Sequence, residues 1–249
     1  MILEFHMGWI GQEGEYIMKD FKYVSKTEYQ PFKNEVIELI HLVQKDIKKQ
    51  FTFNFEFIGS VDRNMVTRDL KSNVGFDFDV NIFPNDEDEN FTPKELKHII
   101  MDALNKHVKT YKYDFCEDSK RVITIKVKDR KNSKILHSVD FAIVNNYKDR
   151  DGNLCQQYIL FNKKNNTYTW EEQPNGFYML PQKIEWIKGN DLWQKVRDSY
   201  IERKNKNTNP HKKSRSIFAE TVAAIYNEYG GYDDEDDYDD YDDYDEYDD

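Results

Sequence analysis

The sequence predicts a mixed α/β (α+β) fold, in which a β-sheet is flanked by helices and followed by a small C-terminal helical part. Residues 25–49 and 92–108 repeat apolar side chains every three to four positions, which is typical of amphipathic helices. Segments of alternating or continuous apolar residues lie between and after these two, and they are typical of strands. Beyond residue 190 the helical spacing returns.

The first helix is predicted to run from Ser25 to about Lys49. Ser25 and Glu28 have the spacing of a capping box. Apolar residues then recur at helical spacing: Phe32, Val36, Ile40, Val43 and Ile47. The next segment, residues 51–57, alternates phenylalanine with polar residues, so we expect a strand that is buried on one face.

Residues 57–83 contain the pattern around which the rest of the chain is organised. The strand ends at Gly59 and Ser60. Glycine lets the backbone approach a phosphate closely, serine adds a hydroxyl donor, and a helix starting there would strengthen an anion site. The alternative is an ordinary turn. Asp77 and Asp79 follow within an apolar run, so both are expected on one face of a strand.

Paired carboxylates on one strand face repel each other unless a cation lies between them. A hard ion such as Mg²⁺ suits this position, because it takes one or two carboxylates and completes its shell with water and phosphate oxygens. The polar residues 63–73, between the two motifs, are predicted to form either a substrate loop or a solvated surface loop.

A third aspartate is predicted to join the first two. A T-P-K-E pattern at residues 92–95 indicates a capped helix start. Residues 121–127 and 135–144 then form a predicted hairpin, and the second of these strands contains Asp140. Such a hairpin would place Asp140 in the same sheet as the paired aspartates.

The C-terminal third is predicted to add strands and then helices. Residues 157–162 and 166–170 are strand-like. Asn190 or Asp191 is predicted to cap one helix, and Ser216 a second one. The basic segment 203–215 between them is either a solvated loop or a contact for a triphosphate or a nucleic-acid backbone.

The negative charge of the chain is concentrated at one end. The net charge is −11. Of the 47 acidic residues, 13 lie in residues 232–249, so the remaining 34 are balanced by the 36 basic residues. This tail repeats a YDD-like unit and is predicted to be disordered. It either solubilises the protein or competes with polyanions for segment 203–215.

Cysteine content and hydropathy indicate the compartment. Cys116 and Cys155 form no CxxC or other paired spacing, which indicates a reduced, cytoplasmic environment. No window is long and apolar enough to suggest a membrane span, and the first residues do not resemble a secretion signal. Zinc is not expected, because no histidine lies at metal-ligand spacing from another histidine or a cysteine.

Four segments are predicted from these patterns. Residues 1–24 form a leader of uncertain structure, residues 25–189 the core domain, residues 190–231 the C-terminal helices, and residues 232–249 the acidic Asp/Tyr tail.

The Gly59-Ser60 pair, the Asp77-x-Asp79 pair and the later Asp140 together resemble the motifs of the DNA polymerase β-type nucleotidyltransferase superfamily. The gap between Ser60 and Asp77 is similar to that of the oligoadenylate synthase and cyclic GMP-AMP synthase branch. The resemblance covers roughly residues 25–144. It implies a nucleotidyltransferase-like core around residues 25–189.

The resemblance also implies a chemistry for these residues. Asp77, Asp79 and Asp140 would be the catalytic residues and would hold two Mg²⁺ (or Mn²⁺) ions, and Gly59 and Ser60 would bind the phosphates of a nucleoside triphosphate such as ATP. A nucleoside monophosphate would be transferred to a hydroxyl group, and pyrophosphate would be released. The acceptor is open: RNA, a second nucleotide, a protein or a small molecule.

Two other functions fit the sequence. The same fold could bind a nucleotide or act as a scaffold without catalysis, because the region after Asp140 is short for the helical lobe of the synthases. The chain could also be an unrelated α/β protein whose aspartates are solvated strand residues.

Overall fold

A mixed sheet forms the centre of the computed structural model, which describes residues 19–86, 88–174 and 176–230. The predicted leader lies outside these ranges up to residue 18, and the predicted acidic tail lies outside them entirely. The strands are β1 (Phe21–Tyr23), β2 (Thr52–Ile58), β3 (Thr67–Asp69), β4 (Val74–Asn85), β5 (Glu117–Asp118), β6 (Ile123–Asp129), β7 (Lys134–Lys148), β8 (Leu154–Asn162) and β9 (Thr167–Glu172). The helices are α1 (Lys26–Ile47), α2 (Gly59–Asp62), α3 (Pro93–His107), α4 (Gly176–Gly189), α5 (Trp193–Lys206) and α6 (Ser214–Glu228). The predicted α/β fold class is confirmed.

The strands of the central sheet follow the order β2-β4-β7-β6-β5. β4 and β7 are parallel, whereas β2 and β6 run antiparallel to their neighbours. The second half of β7 pairs with β8, and β8 pairs with β9. The predicted hairpin around Asp140 is confirmed as β6 and β7, and it lies directly beside the strand that contains Asp77 and Asp79.

Helices α1 and α3 cover one face of this sheet. The β4 side chains that point toward them are each at most 4% exposed and belong to one apolar cluster with buried residues of both helices: Phe76, Phe78, Val80 and Ile82. Because side chains alternate along a strand, Asp77 and Asp79 stand on the opposite face. The predicted alternation along β4 is confirmed.

The predicted starts of α1 and α3 are confirmed. The Ser25 hydroxyl accepts a hydrogen bond from the Glu28 backbone N–H (3.3 Å). The Glu28 carboxylate contacts Arg68 at 2.6 Å, which links α1 to β3. Thr92 and Glu95 form a complete capping box at α3, with the Thr92 N–H donating to the Glu95 carboxylate (2.8 Å).

The predicted starts of the last two helices are wrong. α5 is preceded by Leu192, and Asp191 has a left-handed φ of +57°, whereas an N-cap residue needs an extended backbone to accept from the helix. α6 begins at Ser214, directly after Lys213, whose backbone is extended (φ −74°, ψ 152°). Ser216 therefore lies inside the first turn.

The last three helices share a second apolar core. Its buried residues are Met65, Ile187, Val196, Tyr200, Ile217, Phe218, Val222 and Ile225. α4, which the sequence analysis does not anticipate, contributes Ile187 and packs Trp186 against Tyr226 of α6. The predicted division between residues 189 and 190 falls at the end of α4, so α4 packs with the helices that follow this division.

A short ribbon joins the sheet to these helices. β1 and β3 pair antiparallel, with Tyr23 opposite Thr67. The Tyr23 hydroxyl donates to the Arg197 carbonyl of α5 (2.7 Å). In the described ranges, no helix has both the length and the apolar character that crossing a membrane requires.

Candidate active site

The three predicted aspartates lie together on the open face of the sheet. In the parallel pairing of β4 with β7, Asp79 is the direct partner of Asp140, and Asp77 is the partner of Ser138. Neighbouring strands are about 4.8 Å apart, so the side chains of register partners are adjacent. The structure therefore places Asp77, Asp79 and Asp140 side by side across two strands.

Gly59 and Ser60 lie at the same edge of this group. Ile58, the last residue of β2, pairs with Asp79, so α2 begins directly beside that aspartate. Gly59 has a φ of +67°, which favours glycine. A Cβ at this position would stand 2.4 Å from Asp79 Oδ2. A glycine is thus required both by the turn and by the closeness of the carboxylate.

Burial and mutual repulsion make these carboxylates difficult to ionise together. Burial, followed by the charges of Asp77 and Asp140, raises the pKa of Asp79 to about 7. Burial also raises the pKa of Asp140, although a hydrogen bond from the Thr124 hydroxyl (2.6 Å) opposes this shift. Asp77 is partly open to solvent, yet the protein around its carboxylate removes enough water to raise its pKa. Carboxylates with raised pKa values in a cleft indicate a functional site.

The donor set fits a hard divalent ion in its chemistry. Carboxylate oxygens are the ligands that Mg²⁺ takes from proteins, and a bound cation would remove the repulsion that raises the pKa of Asp79. In the described part of the chain, however, no three or more His, Cys, Asp or Glu side chains are arranged to hold a metal ion as they stand.

Three basic side chains lie within electrostatic range of the aspartates, and the sequence patterns did not indicate them. Lys204 of α5 is 5% exposed, and burial lowers its pKa to about 8 while the charge of Asp77 opposes that shift. The charges of Arg63 and Arg215 partly oppose the rise in the pKa of Asp79. Lys204 and Arg215 belong to the basic segment 203–215, which was the only signal in the sequence.

Arg63 directly follows α2 and connects the Gly59-Ser60 turn to α6. Its guanidinium lies 4.0 Å from the centroid of the Phe218 ring on α6. Its buried Nε has no hydrogen-bond partner among the described residues. The stretch 63–73 also contains the buried Met65 and the strand β3, so it is not the solvated surface loop that was one of the two predictions.

The structure is similar to solved structures of cyclic dinucleotide synthases. The Vibrio cholerae cyclic AMP-GMP synthase DncV, in complex with nonhydrolysable GTP, superposes with a TM-score of 0.50 at 17% identity, covering 85% of this chain and 55% of that chain. DncV bound to 3'-deoxy ATP gives a TM-score of 0.50 at 16% identity, with the same coverage. The chain has the nucleotidyltransferase fold.

A further solved structure and two sequence comparisons complete the comparison with known proteins. The Elizabethkingia meningoseptica cyclic dinucleotide synthase CdnE, with GTP and Apcpp, has a TM-score of 0.49 at 13% identity, covering 80% of this chain and 70% of that chain. No protein-family model and no curated protein matches the sequence.

The nucleotidyltransferase fold confirms the resemblance noted in the sequence. The chain spans about half the length of DncV. At these identities the likeness establishes the fold, and the roles of the site residues remain predictions.

Proposed function

We propose that the protein is a metal-dependent nucleotidyltransferase that transfers a nucleoside monophosphate from a nucleoside triphosphate to a hydroxyl acceptor and releases pyrophosphate. The observation that supports this most strongly is the direct pairing of Asp79 with Asp140, with Gly59 in contact range of Asp79. A sheet face with merely solvated aspartates would not require a left-handed glycine beside one of them.

Asp77, Asp79 and Asp140 would hold two Mg²⁺ (or Mn²⁺) ions in this proposal. When bound, such ions would offset the negative charge of a triphosphate and lower the pKa of an attacking hydroxyl. The β4 carboxylates Asp77 and Asp79 lie on the triphosphate side, since Gly59 and Ser60 adjoin Asp79. Asp140, oriented by the Thr124 hydroxyl, faces the acceptor side, toward β6.

The chain's own cationic groups would bind and orient the triphosphate. Ser60 and the backbone of α2 would contact its β and γ phosphates. Lys204 lies within electrostatic range of Asp77, and Arg63 and Arg215 within that of Asp79, so their charges would offset the negative charge that a triphosphate brings. The cleft therefore has acidic residues on the sheet and basic residues on the helices.

A second nucleotide is the acceptor that we favour. DncV, which shares the fold, is a cyclic AMP-GMP synthase by name and has been captured with guanine and adenine nucleotides. RNA, a protein hydroxyl and a small molecule are the other acceptors to be tested. We place the reaction in the cytoplasm, because Cys116 and Cys155 are both free thiols.

One observation favours a non-catalytic alternative, in which the cleft binds a nucleotide without turnover. In the described ranges, no group of three or more His, Cys, Asp or Glu side chains is arranged to hold a metal ion. A protein of this kind would bind triphosphate through its basic residues and release no pyrophosphate.

Product analysis separates these functions. The purified protein would be incubated with Mg²⁺ or Mn²⁺ and each α-labelled nucleoside triphosphate, alone and with RNA. We expect a labelled dinucleotide or oligonucleotide without RNA, and none from the Asp79→Asn variant. Label that appears only on RNA or on the protein itself would change the acceptor. Nucleotide binding without any labelled product would support the non-catalytic alternative.

A further inference from the structure

Lys204 owes its position in the cleft to residues that lie far from it in sequence. We propose that Phe21, Thr67 and Asn205 are positioning residues that hold the Lys204 ammonium group where it binds the triphosphate. This inference rests on the proposed function, and it adds the β1–β3 ribbon to the parts of the protein that determine substrate affinity.

The ammonium group of Lys204 has an unusual environment. Its Nζ donates to the Thr67 hydroxyl of β3 (2.8 Å) and lies 4.0 Å from the centroid of the Phe21 ring of β1. Among the described ion pairs none involves Lys204, so no carboxylate in the described ranges lies within 4.0 Å of it. The centroid of the Tyr200 ring is a further 5.5 Å neighbour. A buried cation surrounded by a hydroxyl and aromatic rings suits an anionic ligand.

Lysine has three donor hydrogens, and Thr67 takes one of them. The field of Asp77 acts on the same ammonium group, which places Lys204 within electrostatic reach of the aspartate cluster. Two donors of the ammonium group therefore remain for phosphate oxygens.

Asn205 fixes the Phe21 ring that lies against Lys204. Its side-chain Oδ1 accepts from the Phe21 N–H (2.6 Å), and its Nδ2 donates to the Phe21 carbonyl (3.2 Å). The Asn205 side chain bonds both the N–H and the carbonyl of Phe21, as the backbone of a neighbouring strand would. β1 is therefore held between β3 and α5. Asn205 of α5 thus aligns β1, and the Phe21 ring of β1 in turn packs against Lys204, the residue before Asn205.

The contacts give each variant a defined effect. Phe21→Leu keeps an apolar side chain but removes the aromatic face, whose interaction with a desolvated cation gives a change of about five-fold or more in affinity. Asn205→Ala removes both backbone bonds, and Thr67→Val removes the hydroxyl. Phe21→Tyr keeps the ring and should keep the affinity.

The test is a double-mutant cycle on triphosphate binding. Inorganic tripolyphosphate and nucleoside triphosphate would be titrated calorimetrically, with Mg²⁺, into the full chain and its Phe21→Leu, Lys204→Met and doubly substituted forms. Nucleoside monophosphate would serve as the reference ligand. Lys206→Met is the control, because Lys206 lies on the same helix but is exposed and pairs with Glu202.

We expect Phe21→Leu to weaken triphosphate binding at least about five-fold, with little change for monophosphate, and to have no further effect when Lys204 is already methionine. Lys206→Met should bind as the wild type does. A loss of equal size in the Lys204→Met background, or equal losses for both ligands, would show a merely structural role for Phe21 and overturn the inference.

The failure of this inference differs from the failure of the proposed function. If the wild-type protein binds triphosphate and Lys204→Met abolishes the preference over monophosphate, but the Phe21, Thr67 and Asn205 variants do not alter it, the inference alone is wrong. If the wild-type protein does not prefer triphosphate to monophosphate, the proposed function fails and the inference fails with it.

Discussion

Replacing Gly59 with alanine tests whether the close contact between the start of α2 and the Asp79 carboxylate is needed for function. The new Cβ would stand 2.4 Å from Asp79 Oδ2 and 3.2 Å from Asp79 Cγ. Contacts this short are not sustained, so the Asp79 side chain must rotate away. A left-handed backbone also costs an alanine about 1–2 kcal/mol relative to glycine. We expect a less stable protein whose carboxylate cluster is disrupted.

Gly152 provides a control in which only the backbone effect is present. Its φ is +84°, and nothing lies within 4 Å of the Cβ that alanine would add. Gly59→Ala and Gly152→Ala should therefore each lose about 1–2 kcal/mol, which lowers the melting temperature of a domain of this size by roughly 2–8 °C. Only Gly59→Ala should also lose pyrophosphate release and Mg²⁺-dependent triphosphate binding.

The measurements are melting temperature, calorimetric titration of Mg²⁺ with a nucleoside triphosphate, and pyrophosphate release. Each is made below the melting transition of the less stable variant, so that unfolding does not contribute. If Gly59→Ala retains the turnover of Gly152→Ala, the contact with Asp79 has no role in the reaction and our account of the Gly-Ser motif is wrong.

Three further predictions follow from the site and the core. Asp79→Asn should abolish turnover while its melting temperature without metal equals or exceeds that of the wild type, because a repelling charge is removed; a large fall in melting temperature would place Asp79 in a structural role. Mg²⁺ and triphosphate together should raise the melting temperature by more than the sum of their separate effects, and Ser60→Ala should reduce this gain for triphosphate more than for monophosphate, whereas equal reductions would remove Ser60 from the phosphate site. Burial lowers the pKa of His137 to about 4, below its unfolded value of about 6.5, so the contribution of His137 to the free energy of unfolding should be constant above pH 6.5 and fall by about 3 kcal/mol as the pH drops to 4. Asp79, whose pKa is raised, contributes in the opposite direction over this range, so the His137 contribution is read as the difference between urea titrations of the wild type and His137→Phe; an unchanged pH dependence in the variant would contradict the assignment.

Much of the site was predictable because strand periodicity is local. The alternation along β4 places Asp77 and Asp79 on the face opposite Phe76 and Phe78, which are buried. The same alternation in β7 places Asp140, and the hairpin with β6 brings it into the sheet. The parallel pairing that makes Asp79 and Asp140 direct partners depends on contacts between distant segments, so its register could not be predicted.

Lys204 and Arg63 could not be selected from the sequence, because their burial is a property of the folded chain. Lys204 lies in a segment with several other basic residues, and nothing local distinguishes it from Lys206, which is exposed. Lys204 becomes buried only when α5 packs against β1, a contact between residues such as Phe21 and Asn205 that are distant in sequence. Arg63 is likewise packed against Phe218 of α6, a residue distant in sequence.

Helix starts were predictable only where a side chain makes the cap. Thr92 and Glu95 form the capping box that their spacing predicts. α5 and α6 begin without a side-chain cap hydrogen bond, so a search for capping residues selects the wrong positions. α4 contains Pro181, which disfavours a helix prediction, and its stability comes from packing against α6.

Attack at the α-phosphate is the central claim, and the ratio of pyrophosphate to orthophosphate released from a nucleoside triphosphate tests it most directly. With Mg²⁺ or Mn²⁺, the wild-type protein should release pyrophosphate and almost no orthophosphate, in amounts equal to the nucleoside monophosphate transferred. Asp140→Asn, prepared in parallel, should release neither. Release of orthophosphate as the main product, or pyrophosphate release that persists in Asp140→Asn, would contradict the account.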